Sequence, residues 1–194
     1  TFALAYILGS IPVGLLLTRT FGHVDIRTIG SGNIGATNVL RTGNRPLAAI
    51  TLVLDGAKGA GAVLIATTYG PDLALTAGVA AVVGHIAPIW LKFLGGKGVA
   101  TSLGVIFVLD WRLGLIACVA WLAMAGAFRY SSLASLASLI SAPGFAYLLA
   151  GRQLAELAGL LAIIVATKHH SNIWRLLTGR EPRISSGRKN PTAS

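Results

Sequence analysis

Long apolar runs broken by short polar punctuation dominate this chain. Runs of helical length are predicted at roughly 1–18, 46–68, 73–91, 98–110, 112–128, 132–150 and 153–168. After the first loop the connections are brief: 69–72, 111, 129–131 and 151–152. The only long polar stretch is 19–45. No internal repeat is visible. The pattern predicts an all-α integral membrane protein with seven transmembrane helices, one polytopic domain over 1–184 and a polar, disordered tail over 185–194.

Composition supports that class. Of 194 residues, 54% are hydrophobic and 11% charged, and the mean hydropathy is +0.74. A soluble domain carries about a quarter charged residues. The net charge of +10 raises the question of nucleic acid, but the bases flank apolar spans and form no soluble basic face, so no nucleic-acid partner is expected. Cys118 lies in an apolar run and reads as a packing residue. The first span has no basic leader, so it is not read as a cleaved signal peptide.

Charge sets the orientation. With loop 19–45 in the cytoplasm, that side collects Arg19, Arg27, Arg41, Arg45, Lys92, Lys97, Arg129, Lys168, Arg175, Arg180, Arg183, Arg188 and Lys189. The other side keeps Arg112 and Arg152, beside Asp72 and Asp110. This bias places the N-terminus outside and the C-terminus inside. The fourth segment is the difficulty, because 99–109 makes only about 16 Å of helix against a ~30 Å core. Removing that crossing would put the basic tail outside. A short helix whose N-terminus, 95–98, is recessed in a polar cavity resolves the conflict, and such an N-terminus with a lysine suits an anion.

Three glycine- and base-rich segments carry the candidate chemistry, and the charge bias puts all of them on one face. The first is Ser31-Gly32-Asn33-Ile34-Gly35-Ala36-Thr37-Asn38, followed by Arg41. It reads as an anion cradle or as a capped turn before a short interfacial helix; if helical from Ala36, Thr37 and Arg41 share a face. The second, Gly95-Gly96-Lys97-Gly98-Val99-Ala100-Thr101, lacks the full spacing and preceding strand of a nucleotide P-loop. It is either a close-approach phosphate loop or a flexible surface loop whose lysine meets lipid headgroups. In the third, His169 and Asn172 lie one turn apart with Arg175 beyond; His169 is a candidate general base or a structural residue, and His170 an interfacial one. Asp55 and Lys58, at i and i+3 in the second helix, read as an ion pair supporting the cavity, with Lys58 a further candidate for substrate. His85 and Pro88 read as a polar contact and a kink.

Absences narrow the reaction. There is no Gly-x-Ser-x-Gly elbow and no His-x4-Asp pair. Only six carboxylates occur, too few and too scattered for a clustered Mg²⁺ site, so a metal-free, cofactor-free mechanism is expected.

These segments resemble the bacterial membrane glycerol-3-phosphate acyltransferases that use acyl-phosphate as donor. Ser31-Gly32-Asn33, Gly35, Thr37-Asn38 and Arg41 resemble that family's first motif. Gly95-Gly96-Lys97-Gly98 with Ala100-Thr101 resembles the second, and His169, Asn172-Ile173, Arg175-Leu176, Gly179 and Glu181 the third. The resemblance runs over 1–184. It implies a bacterial inner-membrane enzyme, multi-pass, with a cytoplasmic active site. The implied reaction moves an acyl group from acyl-phosphate to the 1-hydroxyl of glycerol 3-phosphate, giving lysophosphatidic acid and inorganic phosphate at the start of phospholipid synthesis. The expected partners are those two substrates and membrane lipids, and the expected state is a monomer. An acyl-phosphate is already activated, so orientation and charge neutralisation are the main needs. On this reading Ser31, Lys97, His169 and Asn172 are catalytic, with Lys97, Ser31 and Asn33 at the acyl-phosphate head. Arg41 and Lys58 take glycerol 3-phosphate, and Gly35, Thr37, Asn38, Gly95, Gly96, Gly98, Thr101, Arg175 and Glu181 complete the substrate-binding set. The competing class is an organic-phosphate transporter, whose mark would be broken helices matched between two inverted halves; no second break matches 95–98. A pure headgroup-binding scaffold would not need the Ser/Asn/Thr pattern.

Overall fold

The computed structural model describes residues 1–184; the expectation for 185–194 lies outside the described residues. Among these, the chain is helical without strands: α1 (Phe2–Gly9), α2 (Val13–Phe21), α3 (Ala36–Leu40), α4 (Arg45–Thr67), α5 (Pro71–Ile86), α6 (Val99–Leu109), α7 (Trp111–Phe128), α8 (Ser131–Ala150), α9 (Arg152–Lys168) and α10 (His170–Leu177). Five stretches among the described residues are long and apolar enough to cross a membrane: Phe2–Phe21, Arg45–Thr67, Pro71–Leu91, Trp111–Phe128 and Ser131–Ala150. The remaining two long helices are shorter, α6 with 11 residues and α9 with 17. Large apolar side chains such as Leu4, Leu64 and Leu148 face outward. Such a surface is costly in water and suits lipid.

Local chemistry sets the ends. Asn44 caps α4, its side chain accepting from the Leu47 N–H at 3.0 Å, and Pro46 occupies the first turn, where its missing N–H costs nothing. Asp110 turns α6 into α7 by accepting from the Arg112 and Leu113 N–H groups while pairing with the Arg112 guanidinium at 2.7 Å.

Three elements differ from the expectation. The first span is broken at 10–12, because Pro12 has no N–H to continue the helix. The third stops at Ile86 and re-forms as a 3-10 turn at Ile89–Leu91, so Pro88 follows the helix end and does not kink it. The 19–45 stretch is less open than expected, since α2 runs into it and it contains α3 and a 3-10 turn at Ile26–Thr28.

Packing decides the depth of α6. Glycines let α4 and α6 touch backbone to backbone, Gly59 against Thr101 and Gly104 against Gly56. Gly98 lies against Ile86 and Val82, while Val105 lies against Gly78. So α6 runs antiparallel to α5 and starts level with the middle of α4. Its N-terminus therefore lies inside the bundle, against α4 and α5.

Two sets of contacts define two ends. At one, Gln153 donates to Asp72 at 2.9 Å and Arg112 to the Leu149 carbonyl at 3.3 Å. At the other, Thr37 and Ser131 hydroxyls meet at 3.1 Å and Ser132 donates to Glu181 at 2.6 Å. The three candidate segments all gather toward the second end.

Candidate active site

A cavity of about 830 Å³ opens there, walled by the 30–43 loop, the start of α6, the His169–Asn172 corner, the N-terminus of α8 and residues 181–184.

The first wall is built around one buried amide. Asn38 Nδ2 donates to the carbonyls of Ile26, Ile29 and Asn33 at 3.0, 2.9 and 2.8 Å, and its Oδ1 accepts from the Ser31 N–H at 3.0 Å. Every polar valence is taken by the loop, so Asn38 shapes the wall. Asn33 likewise turns the chain, its Oδ1 accepting from the Gly35 N–H at 2.8 Å. Gly30 and Gly32 sit at φ +55 and +69, where a Cβ is disfavoured. Arg41 reaches back toward Asn38 Oδ1 at 3.4 Å. Arg19 and Arg27 are committed elsewhere; both close on Asp25, and their guanidiniums, Arg27 foremost, hold its carboxyl well below the usual range.

The opposite wall is a charged network. Lys97 Nζ makes a short hydrogen bond to Asn172 Oδ1. Asn172 Nδ2 donates to Glu181 Oε1 at 2.6 Å, Ser132 donates to the same oxygen, and Arg175 Nε reaches Glu181 Oε2 at 2.8 Å. Burial pulls the Lys97 ammonium down to about 8; the Glu181 charge opposes this, while Arg175 and Arg41 add to it. Burial works against the Glu181 charge, but the bonds from Ser132, Asn172 and Arg175 outweigh it and hold the carboxyl below its ordinary value. His169 Nδ1 lies 2.8 Å from the Val165 carbonyl. A carbonyl only accepts, so Nδ1 carries the proton and Nε2 keeps its lone pair. Burial, reinforced by Lys97, pushes this imidazole down to about 4, so it is neutral at pH 7.

Of the residues singled out from the sequence, Ser31, Asn33, Gly35, Thr37, Asn38, Arg41, Lys97, Gly98, His169, Asn172, Arg175 and Glu181 all line this cavity. Lys58, Gly95, Gly96 and Thr101 do not. Lys58 is turned to Asp55 and the Ile11 carbonyl. Gly95 and Gly96 back onto His85, Ile86 and Pro88, and Thr101 is buried against Gly59.

Sequence reasoning missed the α8 wall of Ser131, Ser132 and Ser135, and the closing segment Pro182, Arg183 and Ile184. Small hydroxyls recurring at helical spacing were the available signal for the first. The second is placed by a backbone bond from the Ile184 N–H to the Arg129 carbonyl at 2.7 Å. An apolar arm was missed too: Leu52, Leu103, Cys118, Trp121 and Leu122 continue the cavity toward the outer flank. Leu52 and Leu122 are 52% and 64% exposed on that flank, so the arm opens sideways between α4 and α7.

The fold and site together define a multi-pass membrane protein with a cationic, hydroxyl-lined cavity joined to an apolar side opening. The glycerol-3-phosphate acyltransferase family matches residues 1–179, and the chain belongs to that family. It is similar to the glycerol-3-phosphate acyltransferases of Mesorhizobium japonicum, 57% identical over 181 residues covering 93% of both chains, and Gluconobacter oxydans, 56% identical over 188 residues covering 93% of this chain and 90% of the relative. It superimposes with a TM-score of 0.89 on the crystal structure of PlsY, an integral membrane glycerol 3-phosphate acyltransferase, in its glycerol 3-phosphate form. That chain is 36% identical, with 95% of this chain and 94% of that one covered. The lysophosphatidic acid form gives a TM-score of 0.88.

Proposed function

We propose that this chain transfers a fatty acyl group from acyl-phosphate to the 1-hydroxyl of sn-glycerol 3-phosphate, releasing 1-acyl-glycerol 3-phosphate and inorganic phosphate. The observation that carries this reading is one cavity presenting Lys97, Arg41 and Arg175 to anions at its polar end and an apolar arm at its side. Two phosphorylated substrates, one of them with a long alkyl chain, need that combination. Lys97, with Ser31 and Asn33, takes the acyl-phosphate head. Lys58 is held away from the cavity, so Arg41 and Arg175 take the acceptor's phosphate. The hydroxyl attacks the acyl carbon directly. His169 Nε2 accepts from that hydroxyl and orients it. An imidazole held at about 4 is a poor proton acceptor, whereas the donor's phosphate gains negative charge as the acyl–oxygen bond breaks, so the departing phosphate takes the proton. The defining assay uses purified protein, palmitoyl phosphate and glycerol 3-phosphate. Phosphate release should persist in excess EDTA, and palmitoyl-CoA should not substitute. Loss in EDTA reversed by Mg²⁺, or equal use of the CoA ester, refutes the reading.

The same proposal includes seven crossings of the bacterial inner membrane with the cavity toward the cytoplasm. The cation bias and the gathering of Thr37, Lys97 and Glu181 at one end support it. In a Cys118→Ser background, cysteines at Thr42 and Thr178 should label only from the cytoplasmic side and one at Asp72 only from outside. Labelling of Thr42 and Thr178 from opposite sides would refute the topology.

A further inference from the structure

Behind the Lys97 loop runs a buried polar chain to which the proposed reaction assigns no step, although Asp55 and His85 also line the cavity. Lys58 Nζ donates to the Ile11 carbonyl at 2.8 Å and pairs with Asp55 Oδ1 at 2.8 Å. His85 Nδ1 stands 3.4 Å from the same carboxylate oxygen. All three side chains are buried inside the bundle.

Each end of this chain grips a wall of the cavity. At one end, the His85 ring fills the space a side chain at 96 would need. The Gly96 N–H also donates to the His85 carbonyl at 2.9 Å, and the Gly95 N–H to that of Ile86 at 3.2 Å. The glycines of this loop therefore serve a fit against His85. At the other end, Ile11 lies in the break between α1 and α2, where its carbonyl accepts from the Val13 N–H at 3.0 Å as well as from Lys58; Trp90 Nε1 donates to the neighbouring Ser10 carbonyl at 2.8 Å. Beyond the break, Gly14 of α2 packs on the Ile34 carbonyl of the 30–43 wall.

Ionised groups within a membrane span are costly and mark function. A buried ion pair is weak grounds for stability, because apolar packing of the same volume does as well. What such a pair supplies is a defined geometry. We propose that Asp55, Lys58 and His85 are positioning residues that fix the Lys97 loop relative to the Ser31–Arg41 wall. This rests on the acyl-transfer reading, in which phosphates contact both walls at once. A displacement of about 1 Å between such walls is enough to cost about 10²-fold in rate.

The test removes the charges together, so that neither is left buried alone. Asp55→Asn/Lys58→Met should keep the wild-type melting temperature within a few degrees while kcat for palmitoyl phosphate and glycerol 3-phosphate falls roughly 10²-fold. Lys58→Arg, which still spans Asp55 and the Ile11 carbonyl, should stay within a few-fold of wild type. A second arm leaves the ion pair intact. Gly96→Ala drives a methyl into the His85 ring and should lower kcat, and adding it to His85→Ala should cost little more, because both act through one contact. Full kcat in the neutral pair, a melting temperature that falls in step with kcat across the series, or additive losses for Gly96→Ala and His85→Ala overturns the inference. Wild-type protein that releases no phosphate from this substrate pair refutes the reaction itself, before any variant is compared.

Discussion

Replacing Lys97 by alanine should lower kcat/KM for acyl transfer by on the order of 10²-fold or more, the scale of losing one preorganised charge donor. The ammonium stands at the recessed start of α6 and is aimed by Asn172. Charge builds on the departing phosphate as the acyl–oxygen bond breaks, so the interaction strengthens in the transition state. The loss should therefore fall mainly on kcat. Arg41→Ala, which removes a contact made equally in ground and transition states, should chiefly raise the KM for glycerol 3-phosphate. The pH profile gives an independent check. Only the protonated amine stabilises an anion, and burial brings its pKa down from 10.5 to about 8. Activity should fall as pH rises through about 8, well below the range of a free lysine. Lys97→Arg should abolish that alkaline limb, because a guanidinium keeps its charge throughout this pH range. Near wild-type turnover of Lys97→Ala, with folding and donor affinity intact, would rule out the leaving-group role.

Glu181→Ala should cost on the order of 10²-fold in kcat/KM, although the proposed reaction assigns this carboxylate no step of its own. It accepts from Ser132, Asn172 and Arg175 at once. Removing it leaves those donors without their shared acceptor and frees Asn172, which orients Lys97. The more telling measurement is Glu181→Gln. The Glu181 charge raises the Lys97 pKa against burial, so neutralising it should move the alkaline limb below about 8 while leaving much of the packing in place. A limb unmoved in Glu181→Gln would show that the carboxylate does not act on Lys97.

Much of this molecule was legible along the chain. Apolar runs of helical length marked α4 and α6 to α9 to within a residue or two at each end, though not the break in the first span or the early stop of α5, because burying a helix in lipid requires little more than length and apolar composition. The short fourth segment, read as a crossing, led to the expectation of a recessed N-terminus, and the start of α6 packs against the middle of α4. Asp55 and Lys58 were readable as a pair from their i, i+3 spacing. The candidate anion-binding residues could be named because glycine, hydroxyl and cation chemistry is local. Spacing along a helix gives a face, however, and neither the depth of that face nor what stands opposite it. Only the tertiary structure turned Lys58 away from the cavity to the Ile11 carbonyl, since the break that carries that carbonyl lies 47 residues away. It alone showed that Gly96 is small to admit the His85 ring. It likewise brought Ser132 of α8 to Glu181, 49 residues apart in the chain. Such contacts are settled by how whole helices pack, which no single segment encodes.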